Sequence, residues 1–165
     1  MNFQSKYYGF KFIVVLMALS LHSCTTTDTN QSESDGELAV LVDGSGTYSR
    51  AISTDSEQAQ LFFDQGLRLT WGYFFPESIA SHQEALKHDP DHPMIYWGMA
   101  LAMGPNPNSR YSGMPDDPHG EARKAISQAV KFIGRANDSE RDFIEALFVR
   151  FDSETLPDRS ERDHA

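Results

Sequence analysis

The most restrictive feature of the sequence is a spaced pattern that occurs twice. Phe62-x2-Gln65-Gly66-x2-Leu69 returns thirty-four residues later as Tyr96-x2-Met99-Ala100-x2-Met103: an aromatic residue, then a small and a large residue at fixed distances. A second half follows each time. Ser78-x3-His82-x2-Ala85-x4-Pro90 corresponds to Ala122-x3-Ile126-x2-Ala129-x4-Gly134, forty-four residues on, so the second unit carries a turn about ten residues longer. How closely two helix axes approach depends on the side chains at the contact. Gly66, Ala85, Ala100, Ala122 and Ala129 are therefore the expected packing positions, with Pro90 ending one unit and setting the next.

Helix punctuation agrees with paired helices. Thr54-Asp55-Ser56-Glu57 offers a capping box, with a helix following to about Thr70. Pro76 and Pro93 each suit a first turn, where the missing amide would be unpaired in any case. The spacing predicts helices from Pro76 to about His88, from Met94 to Met103 and from Gly120 to Ile133, the last stopped by Gly134. A fifth is capped by Ser139-Glu140-Arg141-Asp142 and shows an apolar face of Phe143, Ile144, Leu147, Phe148 and Phe151. No alternating strand pattern accompanies them, so the expected class is all-α.

Spacing, small-residue positions and the run Glu84-Ala85-Leu86-Lys87-His88-Asp89-Pro90 together resemble the tetratricopeptide repeat (TPR) family over residues 56 to 150. The sequence departs from the family where Gln65 replaces an aliphatic residue and His82 an aromatic one. Glu140 and Ile144 also stand where an aromatic and a small residue begin the third unit. The resemblance implies an α-solenoid fragment of antiparallel helix-turn-helix units. In such a fragment Phe63, Leu67, Trp71, Met94, Trp97 and Leu101 would face an inner groove of the kind the family uses for peptides. For Trp71 and Trp97 the competing reading is burial in the core.

The first twenty-four residues read as an address. Lys6 and Lys11 precede an apolar run of ten residues from Phe12 to Leu21, about half of what a membrane-spanning helix needs and suited to an export signal. Leu21-His22-Ser23-Cys24 resembles the lipobox of bacterial lipoproteins, with His22 as a departure. That resemblance implies cleavage before Cys24, lipidation of this cysteine and tethering to a membrane of the bacterial envelope, the outer membrane being favoured because Thr25 is not acidic. A secretory peptide with an incidental cysteine, or a short buried apolar helix, is the alternative.

These readings divide the chain into a signal peptide (1–23) and a flexible linker with a short extended segment (24–52). About two and a half helical repeats follow (53–152), with an insertion at 104–120, and then the start of a further, truncated helix (153–165). The linker expectation rests on Thr25 to Glu37, which holds no apolar residue. The extended expectation rests on the run Leu38 to Val42. A chain ending one turn into a helix suggests a truncated member of a longer repeat protein.

Charge and composition narrow the function. Fourteen Lys and Arg against twenty-four Asp and Glu give a net charge of −10, which would repel nucleic-acid phosphates. A single cysteine excludes a disulfide within the chain. Asp116, Asp117 and His119 in the insertion could ligate a metal or serve a hydrolase, but carboxylates beside proline more commonly cap helices. No nucleophile motif or phosphate-cradling loop accompanies them, and no cofactor is implied. The expectation is a non-enzymatic scaffold, tethered to a membrane by lipid and partnered by a protein or peptide. Capture of a glycan on Trp71 and Trp97 is the rival.

Overall fold

In a computed structural model of the chain, the described residues are 36–104 and 113–151. The expected signal peptide (1–23), Cys24, the residues after Phe151 and the middle of the insertion lie outside them. Among the described residues there are five α-helices and no strand: α1 (Glu57–Trp71), α2 (Phe75–His88), α3 (Pro93–Met103), α4 (Pro118–Lys131) and α5 (Asp138–Phe151). A short 3-10 turn, Ile133–Arg135, joins the last two. The described part of the chain is all-α, as its patterning implies. No described helix is long and apolar enough to cross a membrane.

Each helix start has a local cause. Proline occupies the first turn of α2, α3 and α4. The α3 start is completed by His92, whose Nδ1 accepts from the Met94 amide at 3.2 Å, and the α4 start by Asp117, which accepts from the Gly120 amide at 2.9 Å. At α5 a reciprocal box forms two residues earlier than Ser139: the Glu140 amide donates to Asn137 Oδ1 at 3.0 Å, and the Asn137 amide donates to Glu140 Oε2 at 2.9 Å. The box expected from Thr54 and Glu57 does not form. Ser56 caps α1 instead, accepting from Ala59, while the Thr54 hydroxyl accepts from the Ser56 amide at 3.2 Å and donates to Asp89 Oδ2 at 2.8 Å, thirty-five residues away.

The helices pack mainly as neighbours in sequence, α1 on α2 and α3 on α4, with α2 also on α3 and α4 on α5. Between them lies one apolar core, in which Phe63, Leu67, Met94, Ile95, Ile126, Ile144 and Phe151 are buried. Of the residues expected at close approaches, Gly66, Ala85, Ala100, Ala122 and Ala129 are buried, while Pro90 is exposed at the α2–α3 turn. Gly66 has a specific tenant. A Cβ built on it would lie 2.5 Å from the His82 ring, and so would one on Gly98 of α3. The imidazole is thus wedged between two glycines on two helices, where no larger residue fits.

The segment preceding α1 is the unexpected part. Residues 38 to 54 are held against the helices, well past the Leu38–Val42 run and through the described part of what reads as linker. None of the segment is a strand, and several of its backbone groups bond to helix side chains rather than to another strand.

Candidate functional site

An extended backbone presents a donor and an acceptor at every residue, and those taken out of water need partners. Here α1 supplies two glutamine clamps. Gln65 Oε1 accepts from the Val42 amide at 2.7 Å while its Nε2 donates to the Val40 carbonyl at 2.9 Å. Gln60 does the same ten residues further along the segment, accepting from the Ile52 amide at 3.0 Å and donating to the Arg50 carbonyl at 2.9 Å. In both cases one side-chain amide takes the C=O of a residue and the N–H two residues later, as a neighbouring β-strand would.

Carboxylates complete the arrangement. Asp64 accepts from the Arg50 amide at 2.9 Å and from the Ser49 hydroxyl at 2.7 Å. Glu140, on α5, accepts from both the amide and the hydroxyl of Ser53 at 2.7 Å. Glu84, on α2, accepts from the Leu38 amide at 2.7 Å. Asp89 takes the Thr54 hydroxyl and is itself held by Arg135, at 2.9 Å to Oδ1 and 3.3 Å to Oδ2. Asp64, Gln65, Glu84, Asp89 and Glu140 are all buried. Polar side chains are seldom buried unless paired, and the partner each of these shares is the extended segment.

Several contacts orient the clamps or fix the segment's course. The Gln60 amide also donates to Asp64, and the Gln65 amide to Ser81 of α2. Arg68 donates to the Tyr48 carbonyl and to the Ser45 hydroxyl, holding the turn in which Gly44 and Gly46 take positive φ. Ile52 is the one apolar side chain of the segment buried in the core. The Arg50 guanidinium sits 3.9 Å from the centroid of the Phe143 ring, a cation–π contact across to α5.

Electrostatics follow from burial and these partners. Burial works to raise the Glu84 carboxyl, but hydrogen bonds from Lys87 and the Leu38 amide, with the charges of Lys87 and His88, together hold it below the ordinary glutamate value. Burial lowers His92, opposed by Asp89, the Ser53 backbone and Glu140. Burial alone drops His82 to about 3, and neither ring nitrogen has a hydrogen-bond partner. His82 is therefore a neutral, apolar filler.

Of the six groove positions, Phe63, Leu67, Met94 and Trp97 belong to the core, and Leu101 packs against it. Trp97 stands edge-on to Phe143, and its indole N–H donates to the Phe143 carbonyl at 3.0 Å. Trp71 is 65% exposed, beside exposed Tyr73 and Phe74 in the α1–α2 turn, where Tyr73 adopts φ +65°. The two tryptophans are not brought together. In the insertion Asp117 is a helix cap, the His119 ring lies 5.4 Å from that of Phe151, and no cluster of metal-ligating side chains occurs among the described residues.

The residues that do converge, Gln60, Asp64, Gln65, Glu84 and Glu140, carry no motif. Their one signal in the sequence is position: polar side chains where a helix turns its buried face, with Gln65 already a departure from the repeat pattern. No protein-family model, curated protein or solved structure matches the chain.

Proposed function

We propose that the chain is a non-enzymatic scaffold of tetratricopeptide type, tethered through lipid on Cys24 to a bacterial envelope membrane, whose helix faces hold extended peptides. One observation carries this reading: amide and carboxylate side chains of α1, α2 and α5, most of them buried, grip the backbone of an extended segment. Such a surface matches peptide recognition, in which main-chain bonds supply affinity and a few side-chain contacts supply selectivity. The paired packing of α1 with α2 and α3 with α4, with small residues buried at the repeated positions, supports the family assignment. The lipobox-like Leu21-His22-Ser23-Cys24 supports the tether.

Screening the full chain against an extended-peptide array and a glycan array tests the first half. Binding confined to peptides, and weakened by Gln60→Ala, is the expected result. Glycan binding weakened by Trp71→Ala would favour the rival reading, for which the exposed Trp71, Tyr73 and Phe74 turn is the specific observation. For the tether, radiolabelled palmitate should be incorporated in wild type and lost in Cys24→Ser.

A further inference from the structure

Resting on the reading of this surface as a peptide site, the contacts of the segment define what the site selects. Ser49 places its hydroxyl on Asp64. Arg50 offers its amide to Asp64, its carbonyl to Gln60 and its guanidinium to the Phe143 ring. Ala51 is exposed and makes no side-chain contact that would choose it. Ile52 enters the core while its amide meets Gln60. Ser53 gives amide and hydroxyl to Glu140. The acceptors Asp64 and Glu140 make the site acidic, matching a basic residue in its ligand.

The segment's hold is local. Ser49, Ala51 and Ser53 are exposed, Ile52 is the single core anchor, and the described bonds of residues 49 to 53 to the helices all pass through side chains. Elements with few buried apolar contacts open at lower free energy than the core that carries them. The preceding Asp43-Gly44-Ser45-Gly46 turn is exposed but for Ser45 and supplies slack.

We propose that the faces of α1 and α5 bearing Gln60, Asp64, Glu140 and Phe143 form a binding site for an extended peptide of pattern Ser-Arg-x-Ile-Ser, and that residues 49–53 are its exchangeable resident. A tethered occupant competes at an effective concentration in the millimolar range for short flexible links. A peptide supplied by a partner therefore sees only the fraction of molecules in which the resident has left, and its apparent affinity falls by that fraction.

The test uses the full chain and a fluorescein-labelled peptide of sequence TYSRAIST. In the variant Arg50→Ala/Ile52→Ala the resident loses its anchors while the site stays intact, so the peptide should bind about tenfold or more tighter than to wild type. Adding Gln60→Ala or Phe143→Ala in that background should return the affinity to the wild-type level. A folded double variant that binds no tighter than wild type, or that binds a scrambled peptide equally well, overturns the proposal. If the double variant loses its helical circular dichroism, the segment is part of the fold and the proposal is likewise overturned. Native-state hydrogen exchange on wild type gives a second reading: the Arg50, Ile52 and Ser53 amides should exchange through an opening separate from global unfolding, and exchange only with global unfolding contradicts exchangeability. Binding of other extended peptides without this pattern would sink the inference and leave the scaffold reading standing.

Discussion

The helix pairs α1–α2 and α3–α4 carry the same residue spacing and fill it with opposite chemistry. Where α1 has Gln65 and Gly66, α3 has Met99 and Ala100; where α2 has Ser78 and His82, α4 has Ala122 and Ile126. In the first pair the interface is stitched by polar groups. The Ser78 hydroxyl donates to the Gly66 carbonyl at 2.7 Å, the Thr70 and Ser78 hydroxyls lie 2.8 Å apart, and Gln65 reaches Ser81. The second pair buries Ala122, Ala125, Ile126 and Ala129. The difference teaches that the first pair faces two ways: part of its polar interior continues outward, through Gln65, to the extended segment. The second pair has no such duty and is built as ordinary core.

That contrast can be broken at several points. The largest effect should come from Ile126→Ala in the apolar pair, a loss of about 2–5 kcal/mol from transfer and cavity terms together, measured by chemical denaturation. Next is Gly98→Ala. Its new Cβ would meet the His82 ring at 2.5 Å, and overpacking of this kind costs about 1–3 kcal/mol. The penalty should largely vanish in a His82→Ala background, because the two changes act on one contact.

Third is the pH dependence of His82. Burial lowers it from the ordinary 6.5 to about 3 in the folded state, so below pH 6.5 the unfolded chain takes up a proton that the folded chain refuses. Stability therefore falls as the pH falls from 6.5 towards 3. The contribution of this residue is about 1.4 kcal/mol per pH unit. His82→Phe keeps a ring between the glycines and should remove that part of the slope, whatever it does to stability at neutral pH. A slope between pH 6 and 5 that His82→Phe leaves unchanged would mean the imidazole is not buried as a neutral group.

The smallest effect on stability, and the most selective, should be Gln65→Met, which gives the first pair the residue of the second. Losing bonds to Val40 and Val42 should cost about 1 kcal/mol. The Val42 amide should lose its exchange protection while the α3 and α4 amides keep theirs.

The helices were legible in the sequence because their causes are local. Pro76, Pro93 and the Asn137–Glu140 neighbourhood announce helix starts within a few residues, and glycines and alanines at helical spacing mark the faces. The extended segment was legible only at Leu38–Val42, because what orders it is distant. Ser53 meets Glu140 at a separation of eighty-seven residues and Leu38 meets Glu84 at forty-six. No periodicity encodes such pairings, and Gln60, Asp64 and Glu140 look like solvated charge or helix caps until the backbone they serve lies against them. The Thr54 hydroxyl is a further case, joining the Ser56 amide at the helix start to Asp89 thirty-five residues on. Trp97 illustrates the reverse. Its residue type left both a binding surface and the core open, and the structure places it in the core, 8% exposed, where its indole N–H bonds to the Phe143 carbonyl and fixes α3 against α5.

The central claim is that helix side chains hold residues 38 to 54 by the backbone. Amide hydrogen exchange in wild type, resolved residue by residue, tests it most directly. Alternation is predicted: Leu38, Val42, Arg50, Ile52 and Ser53, whose amides donate to side chains, should exchange markedly slower than Ala39, Leu41 and Ala51 between them. Uniform exchange at the rate of an unstructured peptide across all eight would contradict it.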